Sequence, residues 1–271
     1  MLPTAKPARR RSEVTPATLA ALEAGTLATR NLVEWLALDL HRLFENVLID
    51  LKLDTHDAVI EEAEPLRELG IMQRVNRLGS LLHQHLSDHP ELPGIMEKLS
   101  RHPSDTVRIW AISLSQGSPR LILRQRLAAI RPFADDEHFG VRECAWMAVR
   151  PALVADMHQA VTRLTPWARD PAANIRRFAI EAIRPCGVWC AHAPILKTTP
   201  ELALPVLEAL RGDKARYVQL SVANWLNDSS KSQPEFVTRL CQRWLKESPT
   251  TETKWIVHHA LRTLRKREVG S

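Results

Sequence analysis

A chain of 271 residues, 45% of them hydrophobic, is long enough to bury a full core in one elongated or two compact domains. Nine glycines, a single tyrosine and the absence of long alternating β-branched runs point to helices and exclude an extensive sheet. The net charge of +6 suits a polyanionic partner, and no stretch approaches the roughly 20 uninterrupted apolar residues that a membrane-spanning helix needs.

Residues 1–14 form a basic stretch, MLPTAKPARRRSEV, without the apolar segment of a secretory signal, and read as a flexible tail able to touch a phosphate backbone. The protein is expected in the cytoplasm. Residues 15–90 read as an N-terminal helical cap. Thr15-Pro16 opens a helix that Gly25 should close. A second helix is expected to run unbroken from about Thr29 to Leu53, with Leu32, Trp35, Leu36, Leu40, Leu43 and Val47 at core spacing. Helical segments broken at Pro65 and Gly70 follow, and His89 to Pro93 reads as a linker at the domain boundary.

Residues 91–267 repeat themselves. An apolar residue and a small or β-branched one four positions on recur as Val107/Ala111, Val141/Ala145, Ile175/Ala179, Val218/Val222 and Ile256/Ala260, at intervals of 34, 34, 43 and 38 residues. Polar turns precede each start, and more apolar helices lie between them. This is the pattern of HEAT-type helix pairs: an all-α solenoid with antiparallel repeat helices, curving around one concave face. An Arg follows the first three starts directly (Arg108, Arg142 and Arg176), and this series is expected to make the concave face basic.

Asp170 to Lys197 stands out. Ile175, Phe178, Ala179, Ala182 and Ile183 share one helical face, Asp170-Pro171 and Asn174 offer starts, and Arg184-Pro185 stops the helix. Trp189 then falls on a Gly- and Cys-containing connection, beside Glu181 and three arginines. Cys186, Cys190 and His192 are three soft ligands without an evident fourth, so neither a metal site nor a cofactor is expected. Among the tryptophans, Trp110, Trp146, Trp244 and Trp255 fall on apolar stripes and read as core. Trp225, three residues before Asp228, reads as a groove-edge residue. No phosphate-cradling Gly loop, Ser nucleophile elbow or metalloprotease helix is present.

NLVEWLALDL (Asn31 to Leu40), IRRFAIEAIRPCGVW (Ile175 to Trp189), SVANWLNDSSK (Ser221 to Lys231) and HHALRTLRK (His258 to Lys266) together resemble the AlkC/AlkD superfamily of DNA alkylation-repair glycosylases, and the AlkC branch in particular. The resemblance covers about residues 22–266. It implies that Glu181, Trp189 and Asp228 occupy active-cleft positions. Departures are Trp225 where the AlkC branch usually has His, Ser229-Ser230 in place of Ile-Ala, and His259 where the AlkD branch has Trp. The acidic residue expected before a Phe-x-Val-Arg element is displaced, with Glu137 and His138 preceding Phe139.

The activity implied is excision of alkylated, cationic bases from duplex DNA by a monofunctional glycosylase, working as a monomer without an obligate protein partner. A base alkylated on a ring nitrogen already leaves easily, so the enzyme needs negative charge beside the sugar rather than a strong acid. Asp228 is assigned that task, with Glu181 and Trp189 shaping the pocket. Arg142, Arg176, Arg177, Arg184, Lys197, Trp225, Lys231, Arg262 and Lys266 are assigned to DNA binding, the cations by neutralising phosphates. A non-catalytic DNA-binding repeat protein and a protein-interaction solenoid are the alternative readings.

Overall fold

The structure, a computed structural model, describes residues 6–53, 56–187 and 190–270, with side chains as far as residue 266. Every regular element among these residues is helical, as the composition predicts. No helix among them is long and apolar enough to cross a membrane. They gather into two compact units, residues 1–121 with 138–144 and residues 122–137 with 145–271. The boundary expected at residues 89–93 lies inside the first unit, where the Leu92 amide donates to the His89 carbonyl at 3.0 Å.

The first unit contains α1 (Pro16–Glu23), α2 (Leu32–Ala37), α3 (Leu40–Leu51), α4 (His56–Ala63), α5 (Ile71–Leu86), α6 (Leu92–Ser100) and α7 (Asp105–Gln116). The Thr15 hydroxyl caps α1, accepting from the Thr18 amide at 3.1 Å. Gly25 ends it with φ +69°, and a Cβ there would lie 2.8 Å from the His102 ring. The helix expected to run unbroken from Thr29 is two helices. Leu38 is extended, and the Asp39 carboxylate accepts from the amides of His41 (2.9 Å) and Arg42 (3.2 Å), starting α3 afresh. The break re-aims α2: Leu32 and Leu36, expected in the core, are 56% and 43% exposed. Glu34 is buried instead and pairs with Arg30 at 2.5 Å.

In the second unit lie α8 (Leu123–Ala134), α10 (Met157–Leu164), α11 (Ala173–Glu181), α12 (Pro194–Thr198), α13 (Leu204–Leu210), α14 (Arg216–Ser229), α15 (Pro234–Glu247), α16 (Thr251–Ala260) and α17 (Arg262–Gly270). The long α9 (Phe139–Ala155) starts among residues of the first unit and ends among those of the second. Here α11 packs against α14 and α14 against α16, while α13 and α15 pack on their following helices, as expected of stacked helix pairs. All ten repeat-start residues, from Val107/Ala111 to Ile256/Ala260, are buried. The repeated apolar pair therefore marks the core register.

The residue after the repeat start has a different task from the one expected. Arg108 donates through Nη1 to the carbonyls of His102 (2.7 Å) and Pro103 (3.1 Å), six and five residues back. Arg176 does the same to Asp170 (2.9 Å) and Pro171 (2.8 Å), and Gln219 to Asp213 (2.7 Å) and Lys214 (3.4 Å). A long donor side chain at this position folds back and satisfies carbonyls of the turn leading into its own helix. Arg176 also forks onto the Asp213 carboxylate, Nε at 2.6 Å and Nη2 at 3.1 Å. Its assignment as a DNA-binding cation is corrected: the side chain staples a turn and ties one repeat to the next.

Candidate active site

The apolar face of α11 is buried as its spacing predicts, and the chain leaves the helix after Glu181 because Pro185 has no amide to continue it. The last turn closes with the Arg184 amide on the Glu181 carbonyl at 3.2 Å. What holds the following segment is Arg150, from α9. Its buried guanidinium donates Nη1 to the Ala182 carbonyl (2.9 Å), Nη2 to Arg184 (2.6 Å) and Nε to Ala191 (3.0 Å). Burial pushes its pKa below the ordinary arginine value. Sequence reasoning missed this residue. The available signal was the duplication of Val149-Arg150-Pro151 as Ile183-Arg184-Pro185, 34 residues on.

Arg184 joins the two candidate carboxylates. Its Nη1 donates to Glu181 Oε1 at 2.8 Å, and its Nη2 and Nε donate to Asp228 Oδ2 at 2.6 and 3.1 Å. Lys231, one turn beyond, reaches Asp228 Oδ1 at 3.0 Å. Arg177 completes the group, with Nη2 3.7 Å from Glu181 Oε2 and its guanidinium 4.3 Å from the Tyr217 ring centroid. Burial disfavours the charge on Arg184, but Glu181 and Asp228 outweigh it and raise its pKa above the ordinary value. The Asp228 side chain is 7% exposed and that of Lys231 48%, so the cluster meets solvent on the lysine side.

Neighbouring residues fix the end of α14, which bears Asp228. Asn227 Oδ1 accepts from the Thr263 hydroxyl at 2.9 Å and from its amide at 3.3 Å. Arg262 donates to Asn224 Oδ1 (2.9 Å) and the His259 carbonyl (2.7 Å), and burial lowers its pKa against the attraction of Asp228. Trp225 corrects the groove-edge expectation. It is fully buried, and its indole N–H donates to the Ile183 carbonyl at 2.9 Å, so it serves packing between α14 and the end of α11.

The other expected site residues are dispersed. Lys197 Nζ lies 2.6 Å from His192 Nδ1, Lys266 is exposed on α17, and Arg142 is half-buried near the start of α9, among residues of the first unit. His138, whose role was left open, lies in the first unit with Nε2 2.6 Å from the Thr29 carbonyl and Nδ1 3.5 Å from Asp105. Trp110, Trp146 and Trp244 are core, as expected. Trp255 is half-exposed, with the Arg216 guanidinium 3.8 Å and the His259 ring 3.6 Å from its ring centroid. Trp189 lies outside the described residues.

Chemically, the cluster offers two carboxylates from consecutive repeats, spaced and oriented by one guanidinium. An anion fixed in this way does not have to reorganise when positive charge develops near it. The exposed ammonium of Lys231 beside it suits a phosphate.

Several known proteins are similar to this chain. Residues 141–264 match the model of a family described as DNA alkylation repair enzyme. Over 64 residues the chain is 45% identical to an uncharacterized Bacillus subtilis protein, YhaZ, a match taking in 24% of this chain and 17% of that one. The alkylpurine DNA glycosylase AlkC of Pseudomonas fluorescens, solved bound to DNA containing an abasic-site analogue, superposes with a TM-score of 0.70 at 28% identity. That superposition covers 83% of this chain but 62% of the AlkC chain, so the present chain spans less than two thirds of that relative. AlkD2 from Streptococcus mutans shares the fold, with a TM-score of 0.58 at 20% identity over 77% of this chain and 98% of its own. The chain is thus similar to DNA alkylation repair enzymes over residues 141–264, and it shares a helical-repeat fold with AlkC and AlkD2.

Proposed function

We propose that this protein is a monofunctional DNA glycosylase, which excises alkylated, cationic bases from duplex DNA by hydrolysing the N-glycosidic bond. The observation that carries the reading is the Asp228 carboxylate, joined through Arg184 to Glu181 of the preceding repeat, inside the segment that matches the repair-enzyme family. The glycosylase activity named for the Pseudomonas AlkC supports it.

The departing base carries its own positive charge and needs no proton from the protein. As the bond breaks, positive charge shifts to the deoxyribose. Asp228 stabilises that charge and orients the attacking water, while Arg184 and Lys231 fix its two oxygens. Glu181 adds a second negative wall, and Trp189 presents a π-face to the cationic base. Lys231, Arg262 and Lys266 take the phosphates. The protein acts as a monomer in the cytoplasm and requires no cofactor.

A second reading, recognition of damaged DNA without chemistry, is favoured by one observation: both oxygens of Asp228 already hold ion pairs. Release of base from methylated duplex DNA separates the two. The first reading expects release by the wild type and its loss in Asp228→Asn. Tight binding of methylated duplex with no release by the wild type would leave the second.

A further inference from the structure

The Arg-Pro duplication places Arg150 and Arg184 at the same position of successive repeats, yet their surroundings differ. Arg184 meets two carboxylates. Arg150 meets three main-chain carbonyls, of Ala182, Arg184 and Ala191, and is itself buried. Asn227, nine residues after the start of the next repeat as Arg150 and Arg184 are after theirs, bonds to Thr263 beyond the end of α16. In these three repeats the residue nine positions after the start thus reaches the C-terminal end of the next inner helix. In this series Arg150 is the rung immediately before the carboxylate cluster.

A guanidinium is rigid and planar, so three carbonyls taken by its Nε, Nη1 and Nη2 fix both the position and the orientation of the segment that supplies them. One of the three belongs to Arg184 itself. Displacing that backbone by an ångström would separate Arg184 Nη2 from Asp228 Oδ2, now 2.6 Å apart, beyond a good charge-assisted bond. The same clamp bridges the ends of the connection between α11 and α12, whose closure is also marked by the Ala193 amide on the Pro185 carbonyl at 3.0 Å. We propose that Arg150 is a positioning residue for the active site: it sets the backbone of Arg184, and through Arg184 the geometry of Asp228 and Glu181. The proposal rests on the glycosylase reading for its catalytic consequence, whereas its structural consequence can be read without activity.

The test uses Arg150→Met, which keeps bulk and removes every donor, Arg150→Lys, which keeps charge but cannot span three carbonyls, and Arg150→Ala. Single-turnover base release from methylated duplex, affinity for undamaged duplex and hydrogen exchange at the Ala193 amide are measured on each. Release is expected to slow at least tenfold in Arg150→Met and less in Arg150→Lys, with undamaged-duplex affinity within about twofold of wild type. Exchange at Ala193 should quicken. Guanidinium chloride at tens of millimolar should restore release severalfold in Arg150→Ala, but not in Asp228→Asn, and sodium chloride at matched ionic strength should restore neither. Should Arg150→Met fail to fold, the Arg150→Lys rate and the Ala193 exchange decide.

A folded Arg150→Met that releases base at the wild-type rate overturns the proposal. So does a loss of undamaged-duplex affinity equal to the loss of rate, which would mark a merely structural role. If the wild type releases no base, the glycosylase reading fails by itself, and unchanged Ala193 exchange in Arg150→Met then overturns the positioning role separately.

Discussion

Replacing Asp228 by Asn keeps the shape of the side chain and removes one negative charge. The amide nitrogen must then face either Arg184 or Lys231, both of them donors, so one contact of the present geometry is lost whichever way the amide turns. Removing a single preorganised electrostatic group from a transition state costs about 2–4 kcal/mol, or roughly 30- to 1000-fold in the excision rate. The cost to folding should be smaller. Arg184 keeps Glu181 at 2.8 Å, and the half-exposed Lys231 regains water, leaving the loss of charged hydrogen bonds at about 1–3 kcal/mol. In a chain of this size that lowers Tm by about 2–4 °C per kcal/mol. Affinity for undamaged duplex should hold or rise slightly, because a negative charge near the phosphates has gone. Single-turnover release, duplex binding and thermal unfolding, measured on one preparation, separate these effects. A folded Asp228→Asn protein that releases base at the wild-type rate would refute the electrostatic role and leave Asp228 as an inter-repeat strut.

Three further outcomes are expected. Arg176→Ala should lower stability by about 3 kcal/mol, because it leaves the buried Asp213 carboxylate without its ion pair, and should leave the salt dependence of DNA binding unchanged; a reduced salt slope would return Arg176 to the DNA surface. Trp244→Ala should cost about 3–5 kcal/mol in denaturant unfolding, since the ring is fully buried and its N–H bonds Glu208 at 3.0 Å, with little effect on the release rate per folded molecule. Stability should fall with acid in two stages. Burial holds His41 and His102 below the ordinary imidazole range, so the unfolded chain takes up protons first and stability declines as pH drops through about 6.5. Glu34 and Asp39 are desolvated, but Arg30 and the capped amides of α3 leave them below their usual carboxylate values, adding a second decline below about pH 4.5. Tm measured from pH 8 to 3 checks both, and His41→Gln should shrink the first.

The fold was legible because the repeat imposes a period on the core. Val141, Ile175 and Val218 could be placed without knowing where any polar side chain went, and all are buried. The meeting of Glu181 with Asp228 was legible for the same reason: inner helices of consecutive repeats pack side by side, and Arg184 bridges them. Less legible was the direction of long polar side chains. Arg176 adjoins a core residue whether it reaches outward or folds back onto the preceding turn, and only tertiary contacts decide. The break at Leu38 depended on Asp39 acting as a cap inside an otherwise continuous apolar pattern, a local competition that periodicity does not register. Arg150 was missed because its partners lie 32 to 41 residues away and are main-chain carbonyls, which carry no residue-type signature.

That distinction between charge count and charge direction has a measurable consequence for DNA binding. Eight cations near the site motifs were assigned to phosphates, and with about −0.9 in log–log salt slope for each phosphate neutralised, they would give a slope near −7. Three of the eight point into the protein. Arg176 lies on Asp213 and two turn carbonyls, Arg177 is buried against Tyr217 and Glu181, and Arg184 is committed to Glu181 and Asp228. At most five remain, Arg142, Lys197, Lys231, Arg262 and Lys266, so the slope for undamaged duplex should be no steeper than about −4.5. Removing Lys266, exposed on α17, should reduce it by about one, whereas removing Arg184 should not reduce it. A measured slope near −7, or a drop of one unit in Arg184→Ala, would mean that the ion-paired arginines turn outward when DNA binds. The Glu181–Arg184–Asp228 link would then belong to the free protein, not to its complex with DNA.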